Sequence, residues 1–255
     1  MESNRGNYDH IIKTLLCRLK CEVGFCVLWV LAKMNEGKNN RNDQLIEENS
    51  SEKTKPEYRK ISIDELKHIY RDHIKWIKTK RKEGKRADLH LSNLKGLKLK
   101  KAVLAYADLQ QSNLFRVNLQ QAILIRSNLK KSSICQANLR MASLFKANLE
   151  GAEIVGSNLS NSNLTGANLK NSNCRGTDFE GATLVKANLQ GADFLSTFFE
   201  DADFSEANLM GVKNLTIEQL QGAKTLYQAK LDPKLMEQVK ANNPNLLKEP
   251  INQKK

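Results

Sequence analysis

Three cysteines near the N-terminus are the residues whose types and spacing come nearest to a metal site. Cys17, Cys21 and Cys26 form a C-x3-C-x4-C cluster, and closely spaced thiolates bind zinc when a fourth ligand completes the tetrahedron. The nearest histidine is His10, and no good fourth ligand accompanies the cluster. We therefore expect no metal and no cofactor. An odd total of five cysteines in a chain of this length favours a reducing compartment.

The remaining polar residues do not form a catalytic constellation. The sequence lacks H-E-x-x-H, G-x-S-x-G and P-loop motifs. His68, His73 and Trp76 lie on or beside the apolar stripe of a predicted helix, where packing is the expected role. The Asp residues of the repetitive region recur at one position that suits turn hydrogen bonding. They are Asp108, Asp178, Asp193 and Asp203. We therefore do not expect an enzyme.

Residues 1–34 form a separate segment that contains the one continuous apolar run, Val23–Ala32. Ten residues are too few to span a bilayer, which needs about 20. The run could be a signal-peptide core, a membrane-surface anchor or a short docked helix, or translation could begin at Met34. We expect a cytoplasmic protein, or a secreted or membrane-associated one if this segment is a signal or an anchor.

Residues 35–60 are polar and aperiodic, which is typical of a flexible linker. Residues 61–84 follow as a predicted N-terminal capping helix, with Ser62 and Glu65 as a capping box and Gly84 as its end. Residues 213–255 predict a C-terminal helical cap and tail. There, Thr216 and Gln219 form a second capping box, and Asp232-Pro233 suits the start of another helix.

Between these caps, residues 85–212 keep an unbroken five-residue register. The 25 central positions run from Leu89 to Leu209, and 20 of them are Leu or Ile. The residue two before each centre is small except at Leu97 and Val117. Neither a helix nor a flat strand places every fifth residue on one side. A solenoid that turns a corner once per repeat does, because each bend restores the inward direction.

The repeats resemble the pentapeptide-repeat family, whose consensus is A-(D/N)-L-x-x. "ADL" at 87–89, "ANL" at 137–139 and 147–149, and "ADF" at 192–194 match it directly. The resemblance implies an all-β solenoid, a right-handed quadrilateral β-helix with four repeats per coil. It would have about six coils and a length on the order of 30 Å, flanked by helical caps and preceded by a disordered N-terminal segment.

Charge is distributed unevenly along the repeats. Residues 85–146 carry 12 Lys and Arg against two Asp, whereas residues 147–212 carry three against nine acids. A rod that is basic at one end and acidic at the other can steer partners or self-associate head to tail. The candidate basic patch comprises Lys95, Lys98, Lys100, Lys101, Arg116, Arg126, Lys130 and Lys131.

Apolar residues recur every ten positions, just after alternate centres. With four repeats per coil they would form two columns on opposite faces, one through 115, 135, 155, 175 and 195 and the other through 125, 145, 165 and 185. Such columns are candidate docking strips, or they stack on themselves within the ladder. Phe198 adds an apolar residue where Asn or Asp is usual, and with Leu195 and Met210 it suggests a homodimer contact. The candidate interaction surface comprises Phe115, Ile125, Phe145, Val155, Val185, Leu195 and Phe198.

Three functions compete. The leading prediction is a non-catalytic scaffold that presents flat faces to an unidentified protein partner. Some members of the resembled family mimic duplex DNA and bind topoisomerases, protecting them from quinolones. That role needs an acidic rod, and the chain as a whole has a net charge of +13. The third candidate function is binding of RNA or a membrane surface through residues 85–146. No aromatic stacking platform accompanies the Lys and Arg residues there.

Overall fold

The computed structural model describes residues 57–250. They form a stack of square coils closed by a helix at one end and by two short helices at the other. Parallel β-bridges join residues 20 positions apart from Asp88↔Asp108 to Asp193↔Lys213. One coil therefore contains four repeats. Within residues 88–213 each repeat contributes a single bridging residue, except that Ser92 and Asn93 both form bridges in the second repeat, so no longer strand forms.

Each repeat closes with the same tight turn. The amide of Ser92 donates to the Leu89 carbonyl at 3.2 Å, and the same bond recurs along the stack. The second residue after each centre has φ between +53° and +70° at all 25 positions, as the third residue of a type II turn requires. We call the residues at these positions the corner residues. The chain thus bends once every five residues and keeps every centre pointing inward.

The centres and the small residues before them fill the core. All 25 centres are at most 3% exposed. We number the faces in chain order, so that face 1 contains Leu89, face 2 Leu94, face 3 Leu99 and face 4 Leu104, each with the residues 20, 40 and more positions later.

Side chains reinforce the backbone ladder on face 1. The Asn128 amide donates to Asp108 at 3.2 Å, and the same bond joins Asn148 to Asn128 and Asn168 to Asn148 at 3.3 Å each. The bridging Asp residues accept from the backbone two positions later, as the turn role predicted for them requires. The distances are 3.1 Å for Asp108, 2.9 Å for Asp178, 3.2 Å for Asp193 and 3.0 Å for Asp203.

Helix α1, Ile63–Lys78, covers the first coil. Ser62 accepts from the Glu65 amide at 3.1 Å, but the Glu65 carboxylate lies 3.6 Å from Arg59. No earlier coil provides carbonyl groups that accept hydrogen bonds from the amides of the first coil. Tyr70 Oη accepts from Val103 N–H at 3.1 Å and His73 Nδ1 from Ala87 N–H at 3.0 Å, so the helix supplies those acceptors.

The end of the predicted flexible linker is ordered, which corrects that boundary. Arg59 forms a parallel bridge with Ser92, donates to the Leu91 carbonyl and accepts from Asn93 N–H. The exposed edge of the first coil explains this, because its unpaired amides and carbonyls favour an added strand. The predictions for residues 1–34 and for residues 35–56 lie outside the described residues.

The coil also continues beyond residue 212, the predicted end of the repeats. Helix α2, Ile217–Gln221, interrupts the register with the full predicted capping box, and the coil then resumes. Thr225 bridges Asp203, Lys230 bridges Asn208, and the inward-facing Leu226 and Leu231 are 0% and 6% exposed. The five-residue step from Leu226 to Leu231 was the sequence signal for this continuation.

Helix α3, Pro233–Asn242, and the 3₁₀ helix Pro244–Leu247 complete the C-terminal lid. Asp232 occupies the predicted N-cap position but makes no side-chain bond to α3. Its two carboxylate oxygens instead accept from Gly211 N–H at 3.1 Å. Gln219 donates to the carbonyls of Phe194 and Thr197, which no further coil pairs. Both lids therefore satisfy polar groups that the coil ends expose.

Candidate functional site

The structure places the two predicted apolar columns on faces 2 and 4. Residues 115, 135, 155, 175 and 195 follow the bridging residues of face 2, and residues 125, 145, 165 and 185 follow those of face 4. The faces alternate around the coil, so the columns lie on opposite sides. Their members differ greatly in exposure, and that difference decides which can contact a partner.

The prediction that Ile125 is exposed and available to a partner is wrong. Ile125 is 2% exposed, whereas Val155 and Val185 are half-buried in equivalent positions. Phe115 and Phe145 are also half-buried, and cations lie over their rings: Lys95 and Arg116 at 5.4 Å and 5.0 Å from Phe115, and Lys146 at 5.5 Å from Phe145. Cation–π contact of this kind is favourable by about 0.5–1 kcal/mol at exposed sites. These two aromatic residues are therefore partly covered by their own coil.

Leu195 and Phe198 remain exposed, at 46% and 63%. Leu195 is the last member of the face 2 column, and Phe198 lies just past the next corner at the end of face 3. The bridge from Asp178 to Phe198 is the last on face 3 in the described chain, because α2 replaces the next repeat. No residue 20 positions later stacks on Phe198, which explains its exposure.

Acidic side chains lie beside Phe198 on face 3. Asp178 lies one coil before Phe198 in the same column, while Glu180 and Glu200 occupy the neighbouring outward column of face 3. Asp201 is at the following corner. Glu180, Glu200 and Asp201 are all exposed. Sequence reasoning identified Phe198 but missed this acidic border, because only the four-repeat coil brings Glu180 beside Glu200. We call Leu195, Phe198, Glu180, Glu200 and Asp201 the apolar–acidic surface.

The predicted basic patch is not a single patch. Lys98 and Lys100 lie on face 3, Lys95 on face 2 and Lys130 on face 1, while the other four residues lie at corners. Lys130 is paired with Glu150 at 3.0 Å, and this bond lowers the pKa of the Glu150 carboxyl. The four corner residues are Lys101, Arg116, Arg126 and Lys131. Positive charge thus encircles the first coils without forming one groove.

A further aromatic and cation cluster joins the N-terminal lid to the coil. The Arg81 guanidinium lies 5.3 Å from the Trp76 ring and 4.7 Å from the Tyr106 ring. Trp76 also stacks on His73 at 5.8 Å. Burial and the nearby Arg86 lower the pKa of His73 to about 4, although the Ala105 backbone opposes the shift. His73 and Trp76 therefore take the packing role predicted for them.

The thiols of the described region are not activated. Burial raises the pKa of Cys174 to about 12 and also raises that of Cys135, and the thiolate is the reactive form. Among residues 57–250 no cluster of His, Cys, Asp and Glu is arranged to hold a metal ion. Within the same range no helix is long and apolar enough to cross a membrane. The predicted Cys17, Cys21 and Cys26 cluster lies outside the described residues.

Comparison with known proteins gives one family and a group of solved structures. The sequence model of pentapeptide repeats matches eight copies between residues 85 and 213. A trypsin-treated variant of QnrB1, a plasmid-mediated fluoroquinolone resistance protein, is 21% identical, with 61% of this chain and 84% of that chain covered and a TM-score of 0.44. HetL, a pentapeptide repeat protein involved in heterocyst differentiation regulation from the cyanobacterium Nostoc sp. strain PCC 7120, is 26% identical, with 57% and 77% covered and a TM-score of 0.34.

No curated protein matches the chain in sequence. The family match extends over half of the chain and coincides with the stack of four-repeat coils. The chain therefore belongs to the pentapeptide-repeat family, whose members form right-handed β-helices.

Proposed function

We propose that this protein is a non-catalytic scaffold that binds another protein through the apolar–acidic surface. The observation that supports this is Phe198, a large apolar side chain that is 63% exposed at the end of a column of Lys, Asn and Asp residues. The five earlier residues of that column are Lys98, Asn118, Asn138, Asn158 and Asp178. A phenylalanine here forgoes the turn hydrogen bond that Asn or Asp makes, so its presence favours a contact outside the chain.

The backbone beneath this surface is rigid, which favours binding. Phe198 N–H donates to the Thr177 carbonyl at 3.0 Å, and the Phe198 carbonyl accepts from Phe179 N–H at 2.9 Å. A fixed backbone loses little conformational entropy when a partner docks. Exposed aromatic anchors contribute strongly when a partner pocket desolvates them. The matching partner has an apolar pocket bordered by Lys or Arg, which would pair with Glu180, Glu200 and Asp201.

The test is affinity purification of tagged full-length protein from its native host, with four forms compared. Phe198→Asn restores the residue type usual in this column, and Glu200→Lys reverses a bordering charge. Val155→Asn is the matched control on face 2, and thermal unfolding confirms that each variant is folded. We expect partners retained by the wild type and the control to be lost with Phe198→Asn and weakened with Glu200→Lys. Partner recovery that is unchanged in both variants would refute the proposal.

A homodimer is a distinct outcome of the same comparison. If purified wild-type protein is dimeric by light scattering and Phe198→Asn makes it monomeric, the surface binds a second copy and the proposed partner is wrong. A monomer in both cases leaves the surface available to a different protein.

The second candidate is mimicry of duplex DNA toward a topoisomerase. Its supporting observation is the excess of nine acids over three bases in residues 147–212. The basic residues around the first coils oppose it. A gyrase supercoiling assay with the full-length protein at stoichiometric excess decides the matter, because a mimic must inhibit the enzyme or protect it from a quinolone, and no effect excludes this role.

A further inference from the structure

Face 4 differs from the other three faces in its first two coils. The bridging residues of faces 1 to 3 are polar or charged at every repeat except Phe198. On face 4 the first two are Val103 and Ile123, and the outward residues two positions later are Ala105 and Ile125. Phe145 extends this apolar area into the third coil. We call Val103, Ile123, Ile125 and Phe145 the face 4 patch.

The face 4 patch is buried more deeply than its position in the ladder explains. Val103 is 3% exposed, Ile123 7% and Ile125 2%, although all three side chains point away from the coil interior. Further along the same face, Thr183 and Val185 are only half-buried. The neighbour of Ile125 one coil earlier is Ala105, whose methyl group is too small to cover an isoleucine.

The N-terminal lid contacts the beginning of this patch. Tyr70 reaches Val103 with a hydrogen bond of 3.1 Å, and Arg81 reaches the corner residue Tyr106. Both contacts are in the first coil, and Ile123 and Ile125 lie one coil further on. Their burial therefore indicates an additional cover on face 4.

We propose that the apolar segment Val23–Ala32 of the same chain docks on the face 4 patch. This segment, VGFCVLWVLA, is the one continuous apolar run in the sequence. The proposal is independent of the proposed function, because the face 4 patch and the apolar–acidic surface lie at opposite ends of the stack on different faces.

The tether between the segment and the coil is long enough. Arg59 is fixed to the first coil through Leu91 and Asn93, and residues 33–56 connect the segment to the described chain. A stretch of that length extends to at most about 80 Å and has a root-mean-square span of roughly 27 Å if flexible. Either length exceeds the width of a coil whose sides are five residues each. A short tether also gives a local concentration in the millimolar range, on the order of that for linked binding modules.

Docking would make face 4 unavailable to outside partners in these first coils and leave the apolar–acidic surface accessible. The corner residues Lys101, Arg126 and Lys146 border the patch with positive charge. The same border would suit an anionic membrane if the segment bound lipid, so a membrane is the outcome against which the proposal must be tested.

The first experiment is disulfide trapping in the full-length protein. Cys26 lies within the segment, and Ile125→Cys places a thiol in the patch, in a background with Cys17, Cys21 and Cys135 changed to Ser. Val155→Cys, in the equivalent position on the opposite face 2, is the matched control. On mild oxidation of dilute protein we expect an intramolecular bond with Ile125→Cys and at least tenfold less with the control. Equal trapping at both sites, or trapping at neither, would overturn the proposal, and covalent dimers would assign the patch to a second copy.

The second experiment uses tryptophan fluorescence, first with the face 4 patch unchanged. Trp76→Phe leaves Trp29 as the single tryptophan, inside the segment. A docked segment predicts blue-shifted Trp29 emission that is protected from acrylamide quenching, and Ile123→Lys with Ile125→Lys abolishes both effects while Val185→Lys does not. Trp29 emission of a fully solvated residue in the unsubstituted patch would overturn the proposal. Cosedimentation with vesicles of phosphatidylcholine and phosphatidylglycerol gives a further test. If the wild-type protein binds these vesicles and the two Lys substitutions do not strengthen that binding, the segment binds lipid and the proposal is overturned.

Discussion

The two halves of the rod use the same backbone with different side chains at the corners. Between residues 91 and 146, 11 of the 12 corner residues carry a side chain, and Gly96 is the exception. Between residues 151 and 211, seven of the 13 are glycine. A non-glycine residue at positive φ costs about 1–2 kcal/mol. The N-terminal half therefore accepts backbone strain at the positions from which Lys, Arg and Gln side chains project.

The cores of the two halves also differ. Centres up to Leu169 are all Leu or Ile, whereas Phe179, Phe194, Phe199 and Phe204 fill the later coils. The Phe199 ring lies 5.1 Å from Phe194 and from Phe204, and 5.8 Å from Phe179. The C-terminal half thus combines relaxed corners with a larger apolar core, while the N-terminal half combines strained corners with an aliphatic one. We expect the C-terminal coils to be the more stable part.

The largest expected effect comes from the aromatic core. Phe199→Ala removes a ring that contacts three others and should lower the free energy of unfolding by about 4 kcal/mol. Leu139→Ala, on the same face of the N-terminal half, should cost about 3 kcal/mol. Urea unfolding followed by circular dichroism measures both. A larger loss for Leu139→Ala would contradict the ranking of the two cores.

The next effect depends on pH and concerns the N-terminal lid. The pKa of buried His73 is lowered from 6.5 to about 4, so the folded state favours the neutral ring. The resulting stability is fully present above pH 6.5 and is lost as the pH falls toward 4, by about 3 kcal/mol in total. Urea midpoints between pH 7.5 and 4 measure the loss. His73→Asn, which retains an acceptor for Ala87 N–H, should remove most of this pH dependence, and an unchanged slope would refute the assignment.

The side-chain ladder of face 1 crosses the boundary between the halves. Asn148 donates to Asn128 and accepts from Asn168, and it also accepts from the Glu150 amide at 3.2 Å. Asn148→Ala should cost about 2 kcal/mol, since three hydrogen-bonding groups lose their partner. Asn138→Ala on face 3 removes the described bond from Arg140 N–H and should cost about 1 kcal/mol. Equal losses in thermal unfolding would show that the ladder adds nothing.

The smallest effects test the corners directly. Lys131 has φ +54°, and Lys131→Gly should stabilise the N-terminal half by about 1 kcal/mol despite the entropy of glycine. Gly176 has φ +61° and open space where a methyl group would be added, so Gly176→Ala should destabilise the C-terminal half by about 1 kcal/mol through φ alone. Hydrogen exchange of amides in each half resolves the two changes. The same sign for both would contradict the difference between the corners.

Much of the fold was predictable because it depends on local periodicity. The central residues from Leu89 to Leu209 recur at a fixed step, and the N-cap residues Ser62 and Thr216 placed the starts of α1 and α2 correctly. The ends of the solenoid were less predictable. Arg59 pairs with an exposed coil edge, and Leu226 resumes the register after α2, because unpaired backbone groups at the ends favour added pairing that no periodic pattern records.

The candidate site was predictable only in part, as Ile125 and Phe198 illustrate. Both were predicted as exposed apolar residues, and the structure places Ile125 at 2% exposure and Phe198 at 63%. The acidic border of Phe198 could not be read from the sequence, since Glu180 and Glu200 are neighbours only through the coil.

The sequence by itself determined which residues point inward, because a five-residue repeat with one large and one small apolar residue can bury both only by cornering at each repeat. Tertiary structure decided which outward residues meet. Every fourth repeat returns to the same face, so each side chain stacks on its counterparts in the coils before and after it. Exposure of an outward residue therefore depends on those two neighbours, on whether the stack has already ended, and on any other segment that covers the face.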